Sequence, residues 1–308
     1  MSRTVPKLIV CGGNGFLGSR ICKNGVARGW DVVSISRSGE PKWDNVTSSP
    51  TAPSWSRRVT WERADLLRPS VYASLLRGAD YVVHSMGILL EADYKGVVSG
   101  RESPVAGLSK AFASSRERRG GSDPLSKEAG EDFAPASAND QFSYEVMNRD
   151  SAIALARNAA AAAAGAAGAT AGEGEDKGKV PAFCYVSAAG GAPVLPQRYI
   201  TTKRQAENTI TNAFPSMRSI FPRPPIMYDT SRPVTMASAA MCGGGAAFNQ
   251  LTGGFFGGFL GAAGAKPLKV DTVADAIVEA LSDDTVSGPI EIPQIEELAN
   301  KAWRKSML

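Results

Sequence analysis

The sequence predicts an α/β protein whose parallel sheet is covered by helices on both faces. Three observations carry this. Short runs of apolar residues recur along the chain, as strands buried on both faces require. Helical stretches separate those runs. The first run also leads directly into a glycine-rich turn that opens a helix.

The elements follow in order. Lys7-Leu8-Ile9-Val10-Cys11 is the first strand, and it starts so early that it leaves no room for a signal peptide or a cleavable presequence. Ile21 and Val26 lie in the helical stretch after it. Asp31-Val32-Val33-Ser34-Ile35-Ser36 is the second strand, and Val59-Thr60-Trp61 a weak third. Ser70 is placed to cap a helix holding Val71, Leu75 and Leu76. Tyr81-Val82-Val83-His84 is the fourth strand, 182–187 the fifth and 218–221 the sixth.

Three stretches depart from this alternation. Residues 40–57, rich in Pro, Ser and Trp, read as a surface loop. Residues 99–138 carry mixed charge, Gly and Ser without periodicity, and read as a mobile loop insertion. Residues 159–178 run from six alanines, which extend a helix begun near Gln141, into glycines that end it. The resulting organisation is a nucleotide-binding core over 1–215 carrying the insertions 99–138 and 159–178. A small C-terminal lobe takes 216–267 and 288–308, and 268–287 returns to the core. The apolar, glycine-rich stretch 234–265 reads as a substrate or partner surface rather than a transmembrane span, because clustered glycines weaken a helix.

Composition excludes several chemistries. His84 is the single histidine, and no CxxC or HExxH occurs, so no metal site is expected. Cys11, Cys22, Cys184 and Cys242 are scattered, as reduced thiols are. A net charge of +4, from 34 basic and 30 acidic residues, gives no argument for nucleic acid. An esterase using Ser187 and His84 lacks the GxSxG turn such a nucleophile needs.

The turn after the first strand reads Gly12-Gly13-Asn14-Gly15-Phe16-Leu17-Gly18, a GxxGxxG spacing. A pyrophosphate needs such a turn: the chain bends sharply, the backbone approaches the phosphates, and free N–H groups meet them at the positive helix end. The second strand ends at Ser36-Arg37-Ser38, and the nearest acid is Glu40. Arg37 suits the 2′-phosphate of NADP(H), with NAD as the alternative. Asp65, after the third strand, is placed to meet the adenine amino group. Tyr199 and Lys203 stand four apart and share a helix face. An ammonium there favours phenolate, which would lower the Tyr199 pKa and make the phenol a usable proton donor or acceptor. Ser187 ends the fifth strand and would hold a substrate carbonyl.

Together these residues resemble the short-chain dehydrogenase/reductase superfamily in its extended or atypical form, over nearly the whole chain. Val82 to Gly87 resembles the segment beside the nicotinamide ribose. There His84 takes a packing or ribose-contact role. Tyr144 to Asn148 resembles the helix with the active-site asparagine, at Asn148, which would support a water relay. Arg223 to Tyr228 resembles an "RP…YG" segment, with Asp229 where glycine is usual. Lys269 to Ala276 resembles the segment returning to the nucleotide lobe. "GGNGFLG", "VVHSMGILLE" and "RYITTKRQAE" are similar to the group of the mitochondrial complex I 39-kDa subunit, and more narrowly to its fungal coenzyme Q biosynthesis-associated relatives. The resemblance implies a mitochondrial protein on the matrix side of the inner membrane. The role it implies there is either that of an NADP-dependent oxidoreductase on a quinone-type or other small-molecule substrate, or that of a non-catalytic cofactor-binding subunit of a membrane-associated complex. Lys203 would then hold the nicotinamide ribose as well as tune Tyr199.

Overall fold

The computed structural model describes residues 5–47, 49–88, 123–135, 138–169, 180–190, 197–230 and 266–307. Its central sheet is parallel throughout, with strand order β3-β2-β1-β4-β5-β6-β9. The strands are β1 (Lys7–Cys11), β2 (Asp31–Ser36), β3 (Val59–Arg63), β4 (Tyr81–His84), β5 (Ala182–Tyr185), β6 (Ser219–Pro222) and β9 (Gly288–Ile290). The short pair β7 (Met227–Tyr228) and β8 (Leu268–Lys269) forms a second sheet.

Alternation along each strand builds two cores. Leu8, Val10, Val83, Cys184 and Ile220 face α1 (Gly18–Ala27), α4 (Val270–Ser282) and α5 (Ile292–Ser306). Ile9, Cys11, Val82, Phe183, Tyr185 and Phe221 face α2 (Ser151–Ala169) and α3 (Gln197–Ala213). The period of two carries apolar residues to both faces, so both must be covered by helices. The expected doubly wound Rossmann-type architecture is therefore present.

Several boundaries differ from the sequence reading. β6 and β9 are hydrogen-bonded members of the main sheet, so 216–222 and 288–306 belong to the core rather than to a C-terminal lobe. Ile290 and Ile295 are buried in the same core as α1, which fixes that placement. Ile290 turns its carbonyl to Arg223 N–H of the β6 side at 2.9 Å. Pro289 therefore presents its N–H-less nitrogen to the open edge, which blunts strand addition there.

After Ser70 the chain forms two 3₁₀ turns, Pro69–Val71 and Ala73–Leu76, rather than a helix. β-branched and aromatic residues lower helix propensity there, and tight turns suffice to bury Tyr72 and Leu76. Ser70 bonds Asp132, 62 residues on, through both N–H and hydroxyl. The 40–57 stretch is no plain surface loop. Trp43 is 6% exposed and packs edge-on against Trp55 and Trp61, covering the β3 end of the sheet.

Of the insertion at 99–138, residues 123–135 lie against the core. Phe133 is buried and its N–H donates to Leu67 O at 3.1 Å. The alanines continue α2 to Ala169 as expected, but its approach is broken into a turn at Ala138–Gln141 and a π-helical turn at Glu145–Asp150. The stretch 234–265, the rest of both insertions, and Cys242 lie outside the described residues. No helix among the described residues is long and apolar enough to cross a membrane.

Candidate nucleotide and active site

The glycine turn sits at the carboxyl end of β1, where a parallel sheet opens a crevice. Gly12 has φ +85°, a left-handed conformation that favours glycine. A Cβ on Gly18 would stand 2.1 Å from Gly12 O, and one on Gly13 2.3 Å from the Ser34 hydroxyl. Gly18 lets α1 close on the turn after β1, and Gly13 lets that turn close on β2. No side chain caps α1, and no acid stands in its first turn. The helix thus keeps its positive end for an anion. Asn14 donates to Ser38 Oγ at 2.6 Å, tying the turn to the end of β2. Gly15, Phe16 and Leu17 complete the turn into the helix. The donor set fits a dinucleotide pyrophosphate.

Arg37 is exposed beside this turn, its guanidinium 5.5 Å from the Phe142 ring centroid. Glu40, the nearest acid, accepts the Trp43 indole N–H at 3.0 Å instead of facing the turn. Asp65 is half-buried, and one carboxylate oxygen accepts Leu67 N–H at 3.1 Å.

The proposed proton machinery comes together at the ends of β4 and β5. Lys203 Nζ lies 5.5 Å from the Tyr199 ring centroid and 5.0 Å from that of Tyr185, and donates to Val186 O at 2.9 Å. Burial, helped by the Arg204 charge, brings Lys203 down to about 7 against the pull of Glu207. Tyr199 does not follow expectation. Burial, together with the neighbouring Tyr144, pushes its phenol upward rather than down.

Ser187 and Asn148 are also placed differently from their expected roles. The Ser187 hydroxyl donates to Glu207 Oε1 and accepts from Arg204 Nη1 at 2.9 Å. In this structure its single proton is committed to a buried carboxylate. Asn148 accepts Ile88 N–H at 2.9 Å and donates to Ile88 O at 3.1 Å, while its backbone carbonyl accepts from the Tyr185 hydroxyl. Its amide clamps the loop after β4.

His84 is fully buried. Ser151 Oγ gives its proton to Met147 O at 2.8 Å, so His84 Nε2 donates to Ser151 Oγ at 2.9 Å. Among the described residues Nδ1 has no hydrogen-bond partner. Burial, then the Lys203 charge, lowers its pKa to about 3, so the ring is neutral. It packs β4 onto α2. Cys11, Cys22 and Cys184 are buried free thiols. Among the described residues no cluster of His, Cys, Asp and Glu could hold a metal.

Comparison with known proteins places this geometry. The profile of the NAD dependent epimerase/dehydratase family matches residues 8–93. MIOREX complex component 2 of Saccharomyces cerevisiae is 37% identical over 229 residues, 74% of this chain and 75% of that protein. The chain belongs to this epimerase-type short-chain dehydrogenase/reductase family. An uncharacterised chloroplastic protein of Arabidopsis thaliana is 40% identical over 81 residues, 26% of this chain and 24% of that one. Among solved structures, UDP-N-acetylglucosamine 4-epimerase of Methanobrevibacter ruminantium aligns with TM-score 0.52 and 15% identity, covering 94% of this chain and 77% of its own. UDP-glucuronic acid 4-epimerase of Bacillus cereus, solved with NAD, aligns with TM-score 0.51 and 15% identity, covering 93% and 76%. At such identities these two establish the fold alone.

Within this family fold, a set of charged residues at the strand ends was not singled out from sequence. Glu207, 3% exposed, gathers Ser187, Arg204 and Arg223, and Arg223 continues to Glu291 at 2.6 Å. The spacing of Arg204 and Glu207, three apart on a helix, was the available signal. Asp229, which stands where the resembled pattern has glycine, is ion-paired with Arg20 of α1.

Proposed function

We propose that the chain is an NADP(H)-binding component of a mitochondrial protein complex on the matrix side of the inner membrane, with ubiquinone biosynthesis as its setting. One contrast carries the reading: the glycine turn and the α1 end are kept for a dinucleotide, while Ser187 and Asn148 are tied into the protein's own structure. Kinship with a yeast protein named as a complex component supports membership of an assembly. Exposed Arg37, with Glu40 engaged by Trp43, supports the phosphorylated cofactor.

A second reading keeps turnover. Tyr199 and Lys203 lie together on α3, and Lys203 titrates near neutrality. Tyr199 would pass a proton to a carbonyl oxygen of a quinone-type or other small molecule, and the cofactor, when bound, supplies the hydride. The test is to denature the purified protein and assay the nucleotide released, then compare Tyr199→Phe with wild type. The proposal expects NADP(H) to be released and complex assembly to survive Tyr199→Phe. Loss of NADPH oxidation in that variant, with binding intact, would move the protein to the second reading. Release of no nucleotide would remove both.

A further inference from the structure

Arg20 lies in the first turn of α1, directly after the glycine turn. Its guanidinium reaches back over that turn: Nη1 is 3.5 Å from Phe16 O and 3.2 Å from Ser19 Oγ, and Cζ is 5.6 Å from the Phe16 ring centroid. Nη2 is ion-paired with Asp229, and the two side chains are only 11% and 9% exposed. Asp271, in the first turn of α4, comes within 4.0 Å of Nε but is largely exposed. A buried carboxylate from beyond β7 is thus paired with an arginine of the first turn of α1, a turn that carries no acid of its own.

A dinucleotide phosphate and Asp229 would then draw on the same cation and the same helix end. Two anions sharing one guanidinium in a partly desolvated site repel each other. Resting on the nucleotide reading above, we propose that Asp229 is an internal competitor of the nucleotide phosphate. It holds Arg20 when nucleotide is absent and weakens nucleotide affinity. Glycine, the residue usual here in the resembled pattern, would impose no such competition.

The sign of the effect separates this from a merely structural ion pair. NADPH and ADP are titrated by calorimetry into the full chain, Asp229→Asn, Arg20→Gln and the double variant. Asp229→Asn is expected to tighten both ligands about tenfold, and Arg20→Gln to weaken them about tenfold. In the Arg20→Gln background, Asp229→Asn should recover less than it gains alone. Asp229→Glu, which keeps the charge, should stay at wild-type affinity. If Asp229→Asn does not fold, Asp229→Gly is read in its place. Binding by wild type with unchanged or weakened affinity in the Asp229 variants overturns the inference and leaves the nucleotide reading standing. No binding by any chain overturns both.

Discussion

At the scale of single residues, burial decides more than spacing does. Tyr199 and Lys203 were legible as a helix pair, and they do share a face. Their protonation was not legible, because it depends on what covers them. His84 shows the same dependence with a consequence for stability. Its pKa is lowered in the folded chain to about 3, from an ordinary value near 6.5. Between those values the unfolded chain binds a proton that the folded chain refuses. Stability is therefore lost as pH falls through 6.5 toward 3, by up to ~1.4 kcal/mol per pH unit from this group. His84→Gln keeps a donor for Ser151 and removes the titration. Its urea-unfolding free energy should fall less steeply between pH 6 and 4 than that of wild type. Equal slopes would mean that His84 gains its proton without unfolding.

At the scale of elements, local pattern located the strands well and their surroundings poorly. β1, β2 and β4 match the apolar runs residue for residue, since burial on both faces leaves little choice of side chain. The tryptophan-rich stretch was misread because Pro and Ser dominate its composition, whereas its structure depends on three indoles meeting across different segments. Trp43 joins Trp55 and Trp61 over edge strand β3, and its N–H finds Glu40. Trp43→Ala should cost about 3–5 kcal/mol and shift the thermal midpoint down in calorimetry. A loss below 1 kcal/mol would show that the cluster merely lies on the surface. Asn148 and Ser187 belong to this scale too. Each sits near the expected place at a strand or helix end, but neighbouring elements claim its polar atoms.

At the scale of the whole molecule, the C-terminal segment completes the sheet. β9 pairs with β6, and α5 packs on α4 through Ile295 and Leu298, with Lys305 and Arg28 converging on buried Glu279. Ending the chain at residue 287 would bare the β6 edge and leave Glu279 with two cations fewer, Lys301 and Lys305. The shortened chain should lose cooperative unfolding by circular dichroism and elute as aggregate. A monomer with a sharp melt would make 288–307 an appendage. β9 was missed from sequence because three residues, one of them proline, make no recognisable strand until β6 stands beside them. The sequence by itself determined the parallel α/β core and the glycine turn, because strand burial and a positive φ each restrict residue type at short range. Only the tertiary structure decided which polar groups remain available for chemistry. That depends on partners far apart in the chain, such as Glu207 beside Ser187 and Asp229 beside Arg20, and on the burial that sets their charge.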